Sequence, residues 1–346
     1  MLYFVKVLLL SIAVTTYFIP DVETCFRKCP DYINTLKGNE NRERFITYLS
    51  DSLKLRDLAL IGTRYSASYI TYIPRYKTQD RPIDLQLISG VRVLDSAVWS
   101  SSDEFYLYKW AKYLMTFDEF LGPINSFLTA NPGEFVITLI HEEHKRGADV
   151  TKSNCEIVRS YCSLSNGHRI VTNWSLEDTI GQHRGKILLA GLDSSFDDCA
   201  LSIASNCQVQ DTETSVDSSS KIEDKWIDIQ KFHDRSYRKD SGHCFVNFMA
   251  DKPDTNTWKM AVKGGTSTRN GCEAPLNVRM ASYFSNPHRA LIMVMADYVT
   301  QNLIDSILSS NFKGDTFYTM YVNNSDVIKI SFTVFPLSKY FLMVKE

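Results

Sequence analysis

Seven short apolar runs constrain the fold of this 346-residue chain more than any other feature. Each has the length and the β-branched or aromatic content of a strand, and several are apolar at successive positions without polar residues in between. Strands of that kind are buried on both faces, as in a parallel sheet covered by helices. The runs span residues 58–63, 91–99, 105–110, 135–143, 186–192, 244–250 and 290–298.

Helical patterns separate some of these runs. Residues 116–132 place apolar side chains at helical spacing, with Thr116 and Glu119 as a capping box and Asn131 before a proline as the stop. Residues 297–311 repeat the pattern. Strands that alternate with helices favour a (β/α) barrel or a doubly wound sheet. The dinucleotide-binding version of the doubly wound sheet is disfavoured, because no G-x-G-x-x-G follows the first strand.

The chain is long enough for one large core, and we expect a single barrel domain over residues 21–310. Residues 1–20 carry Lys6 and then an apolar run that is short for a membrane-spanning helix and typical of a secretory signal peptide. An uncleaved anchor is the alternative. Residues 311–346 form a C-terminal extension whose two alternating pieces around "NNSD" predict a β-hairpin packed on the barrel. The polar stretch 208–223 is predicted to be a surface loop within the domain.

Charge and cysteine content narrow the partners and the compartment. The 38 basic and 40 acidic residues give a net charge of −2 with no long basic run, which argues against nucleic acid as a partner. Eight cysteines behind a signal peptide predict disulfide bonds in a secreted protein, although the spacing does not determine their connectivity. Asn173 and Asn323 lie in glycosylation triplets.

Two familiar catalytic patterns are poorly supported by the sequence. His141 and His144 in "HEEH" are three residues apart at a strand end, so they face opposite sides and are not predicted to share a metal ion. A serine hydrolase is disfavoured because no G-x-S-x-G is present. We predict no metal and no cofactor.

The order of several segments resembles the X-type catalytic domain of phosphatidylinositol-specific phospholipase C, in its small single-domain form. "LIGTRYSASY" is similar to I-P-G-T-H-D-S-x-x-Y, and "QLISGVRVLDSAVW" is similar to Q-L-x-x-G-I-R-x-x-D-I-R. The segment from "FDEFLGP" to "LIHEE", then "IGQHRGKILLAG" and "ALIMVMADYV", follow in the family's order. The resemblance covers roughly residues 45–310 and implies an irregular (β/α) barrel of the TIM type, with its site at the carboxyl ends of the strands.

The resemblance also implies where the catalytic groups of such a phospholipase would stand. One histidine takes the proton of the inositol 2-hydroxyl, a second protonates the leaving diacylglycerol oxygen, and an arginine or calcium stabilises the phosphorane. The first histidine position falls on Arg64, and the acidic residue after it falls on Tyr65. The cation position falls on Ala97, and the second histidine falls on Tyr108. The aspartate that orients the first histidine falls on Asp297, where the residue type matches.

These substitutions remove most of the required chemistry. Arginine is a poor base because it stays protonated, and tyrosine, with an unperturbed pKa of ~10, is a weak substitute for imidazole. No histidine precedes His141 in the chain. The sequence therefore favours a secreted, catalytically inactive scaffold that binds a protein, a glycan or an inositol phospholipid, with at most peripheral membrane contact. The alternative is an active phosphoric diester hydrolase that acts on phosphatidylinositol or glycosylphosphatidylinositol lipids with an altered site. In that site Arg64 stabilises phosphate charge, and His141 or Glu143 supplies the acid or base.

Further candidates carry a structural alternative. Glu143, Asp224 and Trp226 are candidate ligand-binding residues, the last two near the family's D-K-Y motif, although Trp226 also fits a buried structural role. We expect Arg64 to form an ion pair with Asp297. The alternative for Asp297 is that it caps a helix beginning at Tyr298.

One further pair of charges is expected to be structural. Arg92 and Asp95 lie on the same predicted strand, and we expect them to pair beneath the end of the barrel.

Overall fold

The computed structural model describes residues 40–163, 169–213, 221–236, 243–251, 256–267, 271–284 and 290–312, and the backbone of 319–322 and 326–329. The predicted signal segment and the glycosylation triplet at Asn323 lie outside these ranges. Within them, no helix has both the length and the apolar character needed to cross a membrane.

All seven apolar runs form strands, and the second and third runs pair with each other in antiparallel fashion. The strands are β1 (Ala59–Thr63), β2 (Val93–Ser101), β3 (Glu104–Lys109), β4 (Lys112–Thr116), β5 (Val136–Glu142), β6 (Ile170–Val171), β7 (Ile187–Gly191), β8 (Leu201–Ser202), β9 (Gln208–Gln210), β10 (Cys244–Phe248), β11 (Gly265–Ser267), β12 (Gly271–Glu273), β13 (Leu291–Ala296), β14 (Thr319–Val322) and β15 (Asp326–Lys329).

The main sheet is parallel and runs in the order β6-β7-β5-β2-β1-β13-β10-β9. It curls into an incomplete barrel. β8 adds to β7 in parallel, while β3 pairs antiparallel with β2 and β4 with β3. The predicted irregular (β/α) barrel is therefore confirmed.

Helices cover this sheet in the alternating order that the sequence predicts. They are α1 (Glu40–Glu43), α2 (Ile83–Ile88), α3 (Phe117–Ala130), α4 (Asn154–Ser163), α5 (Ile180–His183), α6 (Ile203–Asn206), α7 (Lys221–Arg235), α8 (Leu276–Tyr283) and α9 (Gln301–Ser310).

The core lies on both sides of the parallel strands. Every residue of β1, β7 and β13 is buried, which explains why these strands are apolar at successive positions. Gly62 lets the backbone of β1 run close to its neighbours, because a Cβ there would lie 2.9 Å from the Cβ of Val93 and would meet the Sδ of Met295. The close spacing brings the carboxyl ends of β2, β1 and β13 side by side.

The two predicted helices are present, with one shifted start. α3 begins with the predicted capping box, in which the Thr116 side chain accepts from the Glu119 backbone N–H and the Glu119 side chain accepts in return. α9 begins only at Gln301, with Thr300 at the N-cap position, because the chain first turns through a left-handed residue, Tyr298, at φ 44°. Asp297 therefore does not cap this helix.

A buried ion pair closes the end of the barrel opposite the strand carboxyl ends. Nη2 of Arg92 lies 2.8 Å from Oε2 of Glu134, and both side chains are fully buried. Arg92 also donates from Nη1 to the carbonyl oxygens of Leu87 and Val91. The expected pair between Arg92 and Asp95 is therefore wrong, because the guanidinium turns towards Glu134.

Disulfide bonds link segments that are distant in the sequence. Cys155 pairs with Cys199, Cys207 pairs with Cys244, and Cys272 is also disulfide-bonded. Cys162 is free and exposed.

Backbone pairing bears on two predictions from the sequence, the surface loop at 208–223 and the C-terminal hairpin. Residues 208–210 are strand β9 and not loop, because they pair with β10 beside the Cys207–Cys244 bond. In the C-terminal extension, β14 and β15 form an antiparallel pair. The packing of that extension on the barrel stays a prediction.

Candidate active site

The carboxyl ends of β1, β2, β5 and β13 bring charged side chains together. Ala97 on β2 and His141 on β5 are direct partners in the parallel ladder, so their side chains share one face of the sheet. Asp95 lies two residues before Ala97 and is on the same face. Arg64 follows β1, and its backbone N–H donates to the carbonyl of Ala296, the residue before Asp297.

Arg64 and Asp297 form the ion pair that the sequence suggests. Nη1 of Arg64 lies 4.0 Å from Oδ2 of Asp297, with side chains 14% and 3% exposed. Nη1 also donates to the carbonyl oxygen of Asp251 over 3.3 Å. Burial lowers the pKa of Arg64, but Asp297 and its neighbours outweigh this and raise it, so the guanidinium stays charged. Burial raises the pKa of Asp297 more than Arg64 and Lys109 lower it.

His141 and Asp95 form a second pair on the same face. Nε2 of His141 lies 3.1 Å from Oδ1 of Asp95, whose side chain is 2% exposed. Burial of His141 lowers its pKa, but Asp95, Glu143 and Asp193 together outweigh burial and raise it. With Nε2 directed at Asp95, the other ring nitrogen of His141, Nδ1, is the one that can accept a proton from a ligand. A histidine held by a carboxylate in this way can act as a general base.

Tyr65 lies between these pairs in an unusual backbone conformation. Its φ is 43°, in the left-handed region that residues other than glycine seldom adopt. Its N–H donates to Oδ2 of Asp95 over 2.8 Å, and its hydroxyl donates to Oε2 of Glu143 over 3.1 Å. Oε1 of Glu143 accepts from the backbone N–H of Trp110 over 2.6 Å. Glu143 thus ties the loop after β1 to the turn between β3 and β4.

Lys109, and not Tyr108, is the side chain of β3 that enters the site. Burial alternates along this strand, and Lys109 is 2% exposed. Its Nζ lies 5.0 Å from the centre of the Tyr65 ring. Burial lowers the pKa of Lys109 to about 8, with Arg64 acting in the same direction and the surrounding carboxylates against it. The Tyr108 ring instead packs against the rings of Trp99, Tyr113 and His144.

Two candidates from the sequence, Asp224 and Trp226, lie on α7. Two other charged residues, Asp211 and Lys225, interact electrostatically with Arg64. Asp224 is exposed on α7, and the Trp226 ring packs edge-on against Tyr283 of α8, as its structural alternative implies. Asp211, which follows β9, contributes to the electrostatic environment of Arg64. Lys225 is fully buried, and its Nζ donates to Oε1 of Gln210 and to the carbonyl oxygen of Thr212.

The site combines one histidine, two cations and several carboxylates, and its chemistry is that of proton transfer and anion binding. Across the described ranges, no three His, Cys, Asp or Glu side chains are placed to hold a metal ion.

Comparison with known proteins identifies the same architecture. Two curated relatives, the 1-phosphatidylinositol phosphodiesterases of Staphylococcus aureus strains Newman and NCTC 8325 / PS 47, are each 26% identical over 159 residues, or 44% of this chain. The chain spans about half the length of these relatives. No family model matches.

Solved structures extend the likeness to most of the chain. A phosphatidylinositol-specific phospholipase C from Staphylococcus aureus superposes with a TM-score of 0.60 at 19% identity, covering 77% of this chain and 97% of that one. The enzyme from Listeria monocytogenes gives 0.58 at 19%, covering 79% and 99%. The fold is that of bacterial phosphatidylinositol-specific phospholipase C.

Within this phospholipase C fold, the charged groups are distributed differently from the pattern that the sequence resemblance implies. The guanidinium of Arg64 stands beside Asp297, and the sequence comparison expects the first histidine at position 64. An imidazole stands next to Ala97, the position where the pattern has its cation. A lysine enters from β3, where the pattern has its second histidine.

Proposed function

We propose that the chain binds the phosphodiester of an inositol phospholipid at the mouth of its barrel and cleaves it with acid and base groups on altered strands. The observation that carries this proposal is the pair between His141 and Asp95, whose Nε2 and Oδ1 atoms lie 3.1 Å apart on the same face of the sheet. It supplies a histidine that the sequence lacks at positions 64 and 108. This is the hydrolase alternative from the sequence, now with the named base supported by its position.

The charged side chains of the site are suited to nucleophilic substitution at phosphorus with help from an acid and a base. Nδ1 of His141 accepts the proton of the inositol 2-hydroxyl, whose oxygen attacks phosphorus as the bond to the diacylglycerol oxygen breaks. Arg64 stabilises the negative charge that develops on the phosphoryl oxygens. Lys109 then donates a proton to the leaving oxygen, which a lysine with a pKa of about 8 can do near neutral pH. The products are a cyclic inositol phosphate and diacylglycerol.

The second candidate function is the non-catalytic scaffold that the sequence favours. Its specific support is Arg64, which stands where a base would be required and neutralises Asp297. In that case the mouth binds an inositol headgroup, a glycan or a protein without turning it over. The two functions predict opposite outcomes for one assay.

A protein that cleaves an inositol phospholipid, or only binds its headgroup, has to contact the lipid surface. The loop after β1 exposes Ile70 and Tyr72, which are 51% and 87% exposed, and Trp258 is 36% exposed. The loops that carry them are joined where Oγ1 of Thr257 donates to the carbonyl of Lys77 over 3.3 Å. Aromatic side chains with nearby cations suit the interface of a membrane. We propose peripheral attachment here, by a protein that reaches the outer surface through the secretory route.

The test is release of water-soluble inositol phosphate from phosphatidylinositol vesicles by the wild-type protein and by His141→Gln. We expect release by the wild type and a loss of about 10²–10⁴-fold in the variant. His183→Gln is the matched control, because His183 also contacts a carboxylate, Oδ2 of Asp178 at 2.9 Å, away from the barrel mouth. Binding of the headgroup without release by any of the three proteins would support the scaffold instead.

A further inference from the structure

The ring of Tyr65 occupies the space between the charged groups of the site. Its centre lies 5.3 Å from Cζ of Arg64, 5.0 Å from Nζ of Lys109 and 6.1 Å from the centre of the His141 ring. The residue is 8% exposed, so its ring is enclosed by these groups. A phosphate that contacts both cations has to enter the same space.

Four contacts hold the ring there. Asp95 accepts the backbone N–H of Tyr65, and Glu143 accepts its hydroxyl. Arg64 and Lys109 face the ring as cation–π partners. The left-handed φ of 43° directs the side chain into the site, although a tyrosine favours other backbone conformations. The closed arrangement thus depends on side-chain contacts that a ligand can replace.

A phosphate-bearing ligand offers both cations a stronger partner than an aromatic ring. Charge-assisted hydrogen bonds from a guanidinium and an ammonium to phosphate oxygens are among the strongest in proteins. A neutral ligand of the same size lacks this compensation. Lys109 is 2% exposed and its Nζ faces the Tyr65 ring, so we expect movement of this ring to make the amine accessible.

We propose that Tyr65 is an internal occupant of an anion subsite between Arg64 and Lys109, and that only phosphate-bearing ligands displace it. The ring therefore selects ligands by charge and keeps the site closed in their absence. The identity of the phosphate as a lipid headgroup rests on the proposed function, whereas the closure of the subsite by the ring does not.

The test measures accessibility of Lys109 and requires no catalysis. The amine-reactive reagent trinitrobenzenesulfonate is applied to the folded protein, and labelling of Lys109 is followed by peptide mass spectrometry. Tyr65→Asn removes the ring while keeping a residue that tolerates a left-handed backbone. We expect Lys109 to be labelled at least about tenfold faster in this variant than in the wild type. Tyr65→Phe keeps the ring but loses the bond to Glu143, and we expect an intermediate rate.

Controls separate closure of the subsite from general loosening. Tyr106→Phe removes a comparable bond, from Tyr106 to Oε2 of Glu104 on the outer face of β3, and should leave Lys109 labelling unchanged. Inorganic phosphate should protect Lys109 in Tyr65→Asn at a lower concentration than in the wild type. Equal Lys109 labelling in wild type and folded Tyr65→Asn would overturn the proposal, as would phosphate that fails to protect either protein. A protein that passes both tests and still cleaves no lipid would refute only the proposed function.

Discussion

Replacing Asp95 with asparagine should make His141 a weaker general base while leaving the histidine in place. Oδ1 of Asp95 lies 3.1 Å from Nε2 of His141, and Oδ2 accepts the N–H of Tyr65 over 2.8 Å. Asparagine keeps the shape but loses the charge that raises the pKa of His141, while the burial that lowers this pKa remains. The imidazole is then a weaker base, and its ring is no longer held in one orientation by a carboxylate.

The magnitudes separate an effect on catalysis from an effect on folding. A positioned general base contributes about 10²–10⁴-fold to a rate, so we expect the initial rate of inositol phosphate release to fall by that factor. Each lost hydrogen bond to a charged group costs about 1.5–3 kcal/mol of stability, offset in part because a buried charge is also removed. Rates are compared at a temperature where urea unfolding shows both proteins fully folded.

Asp178→Asn is the matched control for this prediction. Oδ2 of Asp178 lies 2.9 Å from Nε2 of His183, so the variant disrupts a similar contact outside the barrel mouth. We expect comparable losses of stability in the two variants and a loss of rate only in Asp95→Asn. A wild-type rate in Asp95→Asn, or equal losses of rate in both, would refute the assignment of His141 as the base.

Three further predictions follow from other parts of the structure. The free energy of unfolding should rise as the pH increases from about 8 towards 10.5, because burial lowers the pKa of Lys109 and of Lys225 to about 8, so the unfolded state still binds protons that the folded state has released. Lys109→Met should reduce the slope of this rise in urea titrations and leave the part that Lys225 contributes, and an unchanged slope would contradict the burial of the Lys109 amine. Glu134→Gln should lower the free energy of unfolding by about 3–5 kcal/mol, because it leaves the Arg92 guanidinium buried without its partner. Glu177→Gln, which breaks exposed pairs with Lys54 and Arg56, should have a much smaller effect, and equal losses in the two variants would contradict the role of the buried pair. Tyr72→Ser should lower the fraction of protein that sediments with phosphatidylinositol vesicles, while hydrolysis of a soluble, short-chain substrate stays unchanged. Unaltered vesicle binding would argue against the exposed loop as the contact.

The strands were predictable because their burial leaves a direct mark on the sequence. Runs such as 290–298 are apolar on successive residues, and β13 is buried throughout. The start of α9 was not predictable to the same degree, because the left-handed turn at Tyr298 depends on partners far along the chain. Nδ2 of Asn277 donates to the carbonyl oxygens of Asp297 and Tyr298, and those tertiary bonds delay the helix.

The site was predictable in location but only partly in its residues. Strand ends at Arg64 and Asp297 followed from the order of segments. Side chains alternate between the two faces of the strand "EFYLYK", so Lys109 lies on the buried face with Leu107. A comparison with the family pattern by position alone selects Tyr108 instead, because it does not take this alternation into account. His141 was a candidate, but its carboxylate partner was not, because Asp95 reaches it across the ladder between two strands. Asp211 carries no sequence signal, since β9 is polar and is identified only by its pairing with β10.

The most direct test of His141 as the general base compares two pKa values for one group. The pH dependence of kcat/KM reports the essential base of the free enzyme, and the titration of His141 followed by NMR reports the same proton without turnover. His141→Gln identifies the resonance among those of the seven histidines. We predict that activity falls as the pH decreases through a pKa above the ordinary value for histidine, and that this pKa agrees with the one measured for the His141 ring. A kinetic limb that differs from the His141 titration, or that persists in His141→Gln, would contradict the account.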